Sequence, residues 1–276
     1  MLGVKREQME SLRARIAQIE KRPMLEEGAA LPPRGAEQDL LAAPAGLLHE
    51  VFADERRDAG ATLGFALAQA RGLLSPERPA ILCLQLTREA QDMGLPYGAG
   101  LKSFGIDPHG VVLIRAESIV ELLWAIEEAV SCRAVAAVVA DIGGRPKALD
   151  FTVSRRLSLR AASAGTSVFL TRYGEEREAS AARLRWRVVP ALSGTAAFDA
   201  HAPGGPRWRV ELEKGRLGQT ATARAGTVDF LLDWTENGFV VVDSSRTTEG
   251  TSALPDRAPS SRAVPPALGD RLSQAG

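Results

Sequence analysis

Residues Ala134–Asp141 read Ala-Val-Ala-Ala-Val-Val-Ala-Asp and run directly into Ile142-Gly143-Gly144. A run this short and this apolar fits a strand buried on both faces, as in a parallel sheet covered by helices on each side. An Asp at the end of such a strand lies in the crevice beyond the strand tips, where open α/β sheets bind ligands. In P-loop nucleotidases that carboxylate holds magnesium; without a phosphate ligand it serves to cap the next turn. The rest of the chain decides between the two.

The elements around this strand alternate. Leu47–Phe52 reads as a strand, followed by the polar stretch 53–60 and a helix at about 61–74. Ile81–Leu86 and Val111–Ile114 are further strands, joined by a glycine-interrupted, partly helical stretch. Ser118 and Glu121 form a capping box. It opens a helix with Ile119, Leu122, Leu123, Ile126 and Val130 on one face. A helix around 151–164, ended by Gly165, leads to a buried strand at Ser167–Thr171. Strands and helices in this order specify a largely parallel α/β sheet. After residue 180 the period becomes two: Leu184, Trp186 and Val188 alternate with Arg183, Arg185 and Arg187, and Trp208, Val210 and Leu212 with Arg207, Arg209 and Glu211. These read as antiparallel strands with one apolar face and one arginine face. Two more follow near Val228–Trp234 and Phe239–Val242.

The expected organisation is an amino-terminal amphipathic helix within 1–23, a Pro/Gly/Ala-rich linker at 24–45, a core domain at 46–245 and a disordered tail at 246–276. Met9, Leu12, Ile16 and Ile19 give the helix one apolar stripe about two heptads long, too short to hold a dimer in water unaided. The tail is Ser, Pro, Ala, Arg and Thr, with little to bury. Lys+Arg 34 balances Asp+Glu 34, so no net charge marks a nucleic-acid or cation partner. Cys83 and Cys132 sit in apolar elements without metal spacing to His49, His109 or His201, as reduced structural thiols do. The amino terminus is charged rather than signal-like, and no stretch approaches the ~18–20 apolar residues of a membrane span. The expected compartment is the cytoplasm.

Strand, would-be phosphate loop, helix, two βα units, an apolar strand ending in Asp, then helix, strand and antiparallel strands: this order resembles the RecA core. Leu101–Ile114 resembles the RecA-type helix-to-strand passage, and Glu211–Gly218 a late hairpin of that fold. Leu48–Phe52, Thr62–Gly72, Pro96–Leu101, Leu123–Glu128 and Ala134–Asp141 resemble more closely the ImuA family, RecA-like accessory proteins of the damage-inducible mutasome. The likeness covers roughly residues 45–245.

A working phosphate loop reads G-x-x-x-x-G-K-[ST]. The corresponding segment here is Asp54-Glu-Arg-Arg-Asp-Ala-Gly-Ala-Thr62: only Gly60 and Thr62 stand in usable places, Ala61 replaces the lysine, and no Gly-Lys pair occurs in the chain. Carboxylates there repel a triphosphate. The nucleotide site near Gly60, Thr62 and Asp141 therefore reads as degenerate, with no catalytic residue, cofactor or metal expected and Asp141 dispensable. Glu89 is the nearest counterpart of the RecA catalytic glutamate, but it suits a helix first turn as well. RecA's two DNA-gripping loops would fall at Ile142–Leu149 and between Arg172 and Ala182, where Glu175, Glu176 and Glu178 offset the arginines. The best cationic patch is Arg183, Arg185, Arg187, Arg207, Arg209, Lys214 and Arg216, either a solvated sheet face or a contact for a partner or DNA.

The resemblance implies a non-catalytic adaptor of SOS-induced error-prone translesion synthesis. Its partners would be an ImuB-like Y-family polymerase homologue and an error-prone DnaE-type polymerase, with RecA as a further contact and DNA touched weakly or indirectly. The amino-terminal stripe would serve self-association, as such helices do in RecA-like proteins. The alternatives are a divergent RecA-type DNA-binding ATPase and a cell-division-inhibitor-like protein binder.

Overall fold

The computed structural model of the chain describes residues 41, 44–196, 199–215 and 227–247. The stripe Met9, Leu12, Ile16 and Ile19, nearly all of the linker, Arg216 and the tail beyond Thr247 lie outside the described residues. Three linker residues are described: Leu41, buried in the core, and Pro44 and Ala45, both exposed.

Eleven strands and five helices appear among the described residues. In chain order they are β1 (Leu48–Ala53), α1 (Ala59–Arg71), β2 (Ala80–Leu86), α2 (Thr87–Met93), α3 (Gly98–Ser103), β3 (Val111–Ala116), α4 (Ile119–Ser131), β4 (Val135–Gly143), α5 (Phe151–Ala164), β5 (Ser167–Tyr173), β6 (Leu184–Ala191), β7 (Thr195–Ala196), β8 (Asp199–Pro203), β9 (Arg207–Lys214), β10 (Thr227–Thr235) and β11 (Gly238–Thr247). Nine strands form one sheet, ordered β11-β10-β9-β6-β1-β5-β4-β2-β3, and β7 and β8 make a separate small ribbon. Strands β1 to β5 pair in parallel. Every residue of β4 is buried, as its composition requires.

The helices are set by local signals visible in the sequence. Ser118 accepts a hydrogen bond from the Glu121 N–H at 3.2 Å, and the Glu121 carboxylate accepts from the Glu117 N–H at 2.9 Å. The first satisfies a donor that the helix start leaves open, and the second ties down the residue before the cap. Asp150 caps α5 through the Val153 N–H at 2.8 Å, and α5 stops at Gly165, whose φ of 70° favours glycine. Helices α4 and α5 bury their stripes on one sheet face against Leu84, Val138, Ala140, Val168 and Leu170. On the other face α1 packs through Phe65 against Trp208 and Phe239, sheet residues that form an aromatic cluster with Trp234 and Phe104. Gly64 makes that fit possible, because a Cβ there would meet Phe104 and Trp208 at 3.3 and 3.4 Å.

Strand β6 departs from the expected antiparallel arrangement on one side. It pairs parallel to β1 and antiparallel to β9. The chain must therefore return from the end of β5 to the start of β6 across β1. It does so in an extended strap, residues 174–183, rather than a helix. The Gly174 N–H donates to the Ala53 carbonyl at 2.9 Å, the Ala181 N–H to Ser154 Oγ at 3.0 Å, and the Arg183 N–H to the Leu48 carbonyl at 2.8 Å. The strap thus crosses β1 on the α5 face. This is the segment where the resemblance places the second DNA loop.

His49 lies in the heart of the opposite face. It stacks on Phe169, with ring centroids 4.3 Å apart, and its Nδ1 accepts from Trp186 Nε1–H at 3.4 Å, while Nε2 has no partner. Burial lowers its pKa from 6.5 to about 3. The unfolded chain binds a proton near pH 6.5 that the folded chain refuses until about pH 3. Stability from this group is therefore complete above pH 6.5 and falls as the pH drops towards 3, by up to about 1.4 kcal/mol per pH unit. We predict that His49→Phe flattens the urea-measured stability slope between pH 5 and 6.5; an unchanged slope would show that His49 titrates normally in the folded protein.

Candidate functional site

The crevice that would hold a nucleotide lies beyond the tips of β1, β4 and β5, at the amino end of α1. Asp141 sits there near the end of β4, buried rather than presented to solvent. Its Oδ1 accepts from the Tyr173 phenol at 2.8 Å and from Thr171 Oγ1 at 3.4 Å, and its Oδ2 from Gln85 Nε2 at 3.5 Å. Burial pushes the Asp141 pKa up, the nearby Glu89 charge adds to that, and the bonds from Tyr173 and Gln85 oppose it. Tyr173 is raised well above the usual phenol range, first by burial and then by the Asp141 charge. The Thr62 hydroxyl, at the position that would hold magnesium in a phosphate loop, neighbours the same phenol oxygen and donates to the Ala59 carbonyl at 2.8 Å.

Charge pairs lie at the loop before α1. Arg56 bridges to Glu89 at 2.6 Å and to Asp92 at 3.1 Å across the crevice mouth, and Arg57 pairs with Glu55 at 2.6 Å. Glu89, in the first turn of α2, is thus an arginine's partner. Asp54 holds Arg187 at 2.6 Å. Burial alone would raise the Asp54 carboxyl, but Arg187 and Arg177 hold it below the usual range. Gly60 lies in the first turn of α1, where an added Cβ would touch nothing, so no close backbone approach calls for glycine there.

The arginine ladder does share a face. Trp186, Val188, Trp208, Val210 and Leu212 pack into the core, so Arg185, Arg187, Arg207 and Arg209 all emerge on the opposite side. A register shift between Arg185 and Trp186 sets Lys214 opposite Arg185. Each of the four arginines has a carboxylate: Arg185 with Glu50 at 2.8 Å, Arg187 with Asp54 and with Glu211 at 3.2 Å, Arg207 with Asp233 at 2.7 Å and Arg209 with Asp229 at 3.1 Å. Arg183 is exposed and Lys214 Nζ donates to the Ser180 carbonyl at 2.8 Å. The face is a mosaic of alternating charge rather than a phosphate track.

Beneath the strap lies a network that sequence reasoning missed. Glu50, in the middle of β1, is fully buried and accepts from Arg185 and, at 2.7 Å, from Ser180; Arg172 stands 3.5 Å away. Arg172 also donates to the Gly144 carbonyl at 3.0 Å and pairs with Glu178 at 3.2 Å, while Arg145 grips Glu176 and Glu178. The guanidiniums of Arg172, Arg177 and Arg185 surround the Phe52 ring at 4.2–5.6 Å. Both segments expected to carry DNA loops are thereby bound to each other and to the sheet. The available signal was a glutamate, Glu50, inside an otherwise buried strand, which demands a cationic partner.

His109 and His201 lie apart from His49, in a turn before β3 and in β8. Among the described residues no three His, Cys, Asp or Glu side chains are grouped to hold a metal. Chemically the crevice offers a satisfied carboxylate and no free cation from 54–62 to meet a phosphate. The fold is that of an α/β protein whose mostly parallel sheet is flanked by helices and extended by antiparallel strands at its carboxyl-terminal end, the arrangement expected of a RecA-like core. No family model matches the chain. Over 188 residues it is 35% identical to Protein ImuA of Caulobacter vibrioides (strain NA1000 / CB15N), covering 64% of this chain and 72% of that protein, and Protein ImuA of strain ATCC 19089 / CIP 103742 / CB 15 matches equally. The chain belongs to the ImuA family.

Three substitutions probe the site. Where the sequence leads one to expect a nearly neutral Asp141→Ala, the bonded carboxylate predicts a cost of about 1–3 kcal/mol, because the change strands the partly buried Tyr173 phenol. Glu50→Ala removes the carboxylate of Arg185 and leaves Arg172 only Glu178 under the strap, and should cost roughly 3–5 kcal/mol. By contrast Glu213→Ala, which removes a partly exposed partner of Arg177 but leaves that arginine Asp54 and the Gly174 carbonyl, should cost about 1 kcal/mol. Urea unfolding measures all three, and equal losses for Glu50 and Glu213 would contradict the assignment of Glu50 as the anchor.

Proposed function

We propose that the chain is a non-catalytic adaptor of damage-induced mutagenesis, acting in SOS-induced error-prone translesion synthesis. It binds an ImuB-like Y-family polymerase homologue and a DnaE-type error-prone polymerase, with RecA as a further contact and no nucleotide of its own. Membership of the ImuA family supports the setting. The observation that carries the non-catalytic reading is Asp141, whose carboxylate accepts from Tyr173, Thr171 and Gln85 in the place where an ATPase would present it to magnesium. The paired arginine face supports protein contacts over DNA: a mosaic of fixed charges selects a complementary mosaic and gives little to a uniform phosphate backbone. No helix of the described residues is long and apolar enough to cross a membrane.

The amino-terminal stripe supplies the self-associating element of this proposal. Burying Met9, Leu12, Ile16 and Ile19 contributes ~1.5–3 kcal/mol each, enough to tip association when added to another contact. Leu12→Glu with Ile16→Glu should lower the mass seen by light scattering without changing the melting temperature.

The purified full chain should retain both polymerases in a pull-down and release no phosphate from magnesium–ATP above the Asp141→Ala background. Hydrolysis that vanishes in Asp141→Ala would establish the divergent-ATPase reading instead, and retention of the division tubulin without either polymerase would favour the division-inhibitor reading.

A further inference from the structure

Tyr173 stands where the nucleotide fold normally leaves room for a ligand. It ends β5, and its ring lies against the backbone of Gly143 at the end of β4: a Cβ on Gly143, whose φ is 71°, would sit 3.8 Å from the ring and 4.0 Å from the Glu89 carboxyl. The phenol reaches across to Asp141, and the Thr62 hydroxyl in the first turns of α1 adjoins it. One side chain of β5 therefore bonds to β4 and adjoins α1, elements that a bound nucleotide and its metal would otherwise draw together. Outside it, Arg56 ties the turn before α1 to Glu89 and Asp92 of α2. The Arg145 bonds to Glu176 and Glu178 tie the loop after β4 to the strap.

We propose that Tyr173 is a built-in substitute for the ligand, a lock whose hydrogen bond to Asp141 holds the loops at the carboxyl edge of the sheet in a single arrangement. A nucleotide-binding relative must gain this order from its ligand, through the differential affinity of that ligand for two states. Here the same contacts are intramolecular and permanent, so the edge has no second state for a nucleotide to select. Partner surfaces built from residues 54–58, 142–149 and 174–183 are then presented at all nucleotide concentrations. This rests on the adaptor reading and adds to it a cause: the contact that fills the crevice also shapes the surface.

Amide hydrogen exchange on the full chain tests the lock, with and without magnesium–ATP, for wild type, Tyr173→Phe and the exposed-site control Tyr97→Phe. The wild type should exchange slowly over 54–62, 142–149 and 174–183 and ignore the nucleotide. Tyr173→Phe keeps the ring and loses the bond, and should speed exchange in those three segments on the order of tenfold, leaving β2, β3 and α4 unchanged. Tyr97→Phe should do nothing. Exchange in Tyr173→Phe that matches wild type, or that rises evenly over the whole chain, overturns the lock while leaving the adaptor reading intact. Protection of wild-type 54–62 by magnesium–ATP overturns both. Should Tyr173→Phe fail to fold, Asp141→Asn weakens the same bond without touching the ring and must give the same three-segment pattern.

Discussion

A carboxylate at the centre of the sheet, that of Glu50, governs how the second half of this chain is attached to the first. A lone buried charge is prohibitively costly, so the fold must bring cations to it. Those cations are Arg172 from β5 and Arg185 from β6, the two strands on either side of β1. The parallel placement of β6 and the pairing of Glu50 are one geometric fact: only with β6 beside β1 does Arg185 fall opposite Glu50. Ser180 in the strap completes the cluster, and with it the ten-residue crossover needs no helix to hold it down.

From that centre, charge pairing spreads outward. Asp54 at the end of β1 takes Arg187, Glu211 of β9 takes the same arginine, and Asp229 and Asp233 of β10 take Arg209 and Arg207. Most of these pairs are partly screened and each contributes little alone. Their collective effect is on specificity: on a sheet face without helices above it, alternating charge fixes register and discourages strand-to-strand association with other chains.

How far the sequence revealed this depends on the range of the interaction. Strand β4 was legible because valine without polar relief can only be buried, and α5 was read as 151–164 because Gly165 ends it locally. The arginine alternation correctly gave one apolar and one charged face for β6 and β9. What sequence could not give were partners distant in the chain. Glu50 and Arg185 are separated by 135 residues, and Asp141 and Tyr173 by 32, so neither pair has a periodicity to betray it. The parallel pairing of β6 was hidden for a related reason: the strap is too short and too polar to announce a crossover, since parallel connections usually carry a helix. In the crevice, the absence of a Gly-Lys pair was plain, whereas the tyrosine bonded to Asp141 was not.

That bond follows from physical necessity. A carboxylate at the tip of a buried strand, deprived of metal and phosphate, must be hydrated, protonated or bonded. The crevice of this chain excludes the first by bringing Tyr173 and Gln85 onto Asp141, and burial moves the group towards the second. A phosphate loop rich in carboxylates would keep an anionic ligand out, but it would also leave the mouth of the site self-repelling. Arg56 relieves this by turning to Glu89 and Asp92 instead of to a ligand. A loop without lysine, an Asp141 bonded to a phenol and an Arg56 paired with carboxylates are thus consistent with one another. Restoring Gly-Lys alone in the 54–62 loop would set a new cation among residues already paired, and would not rebuild a nucleotide site while Tyr173 holds Asp141.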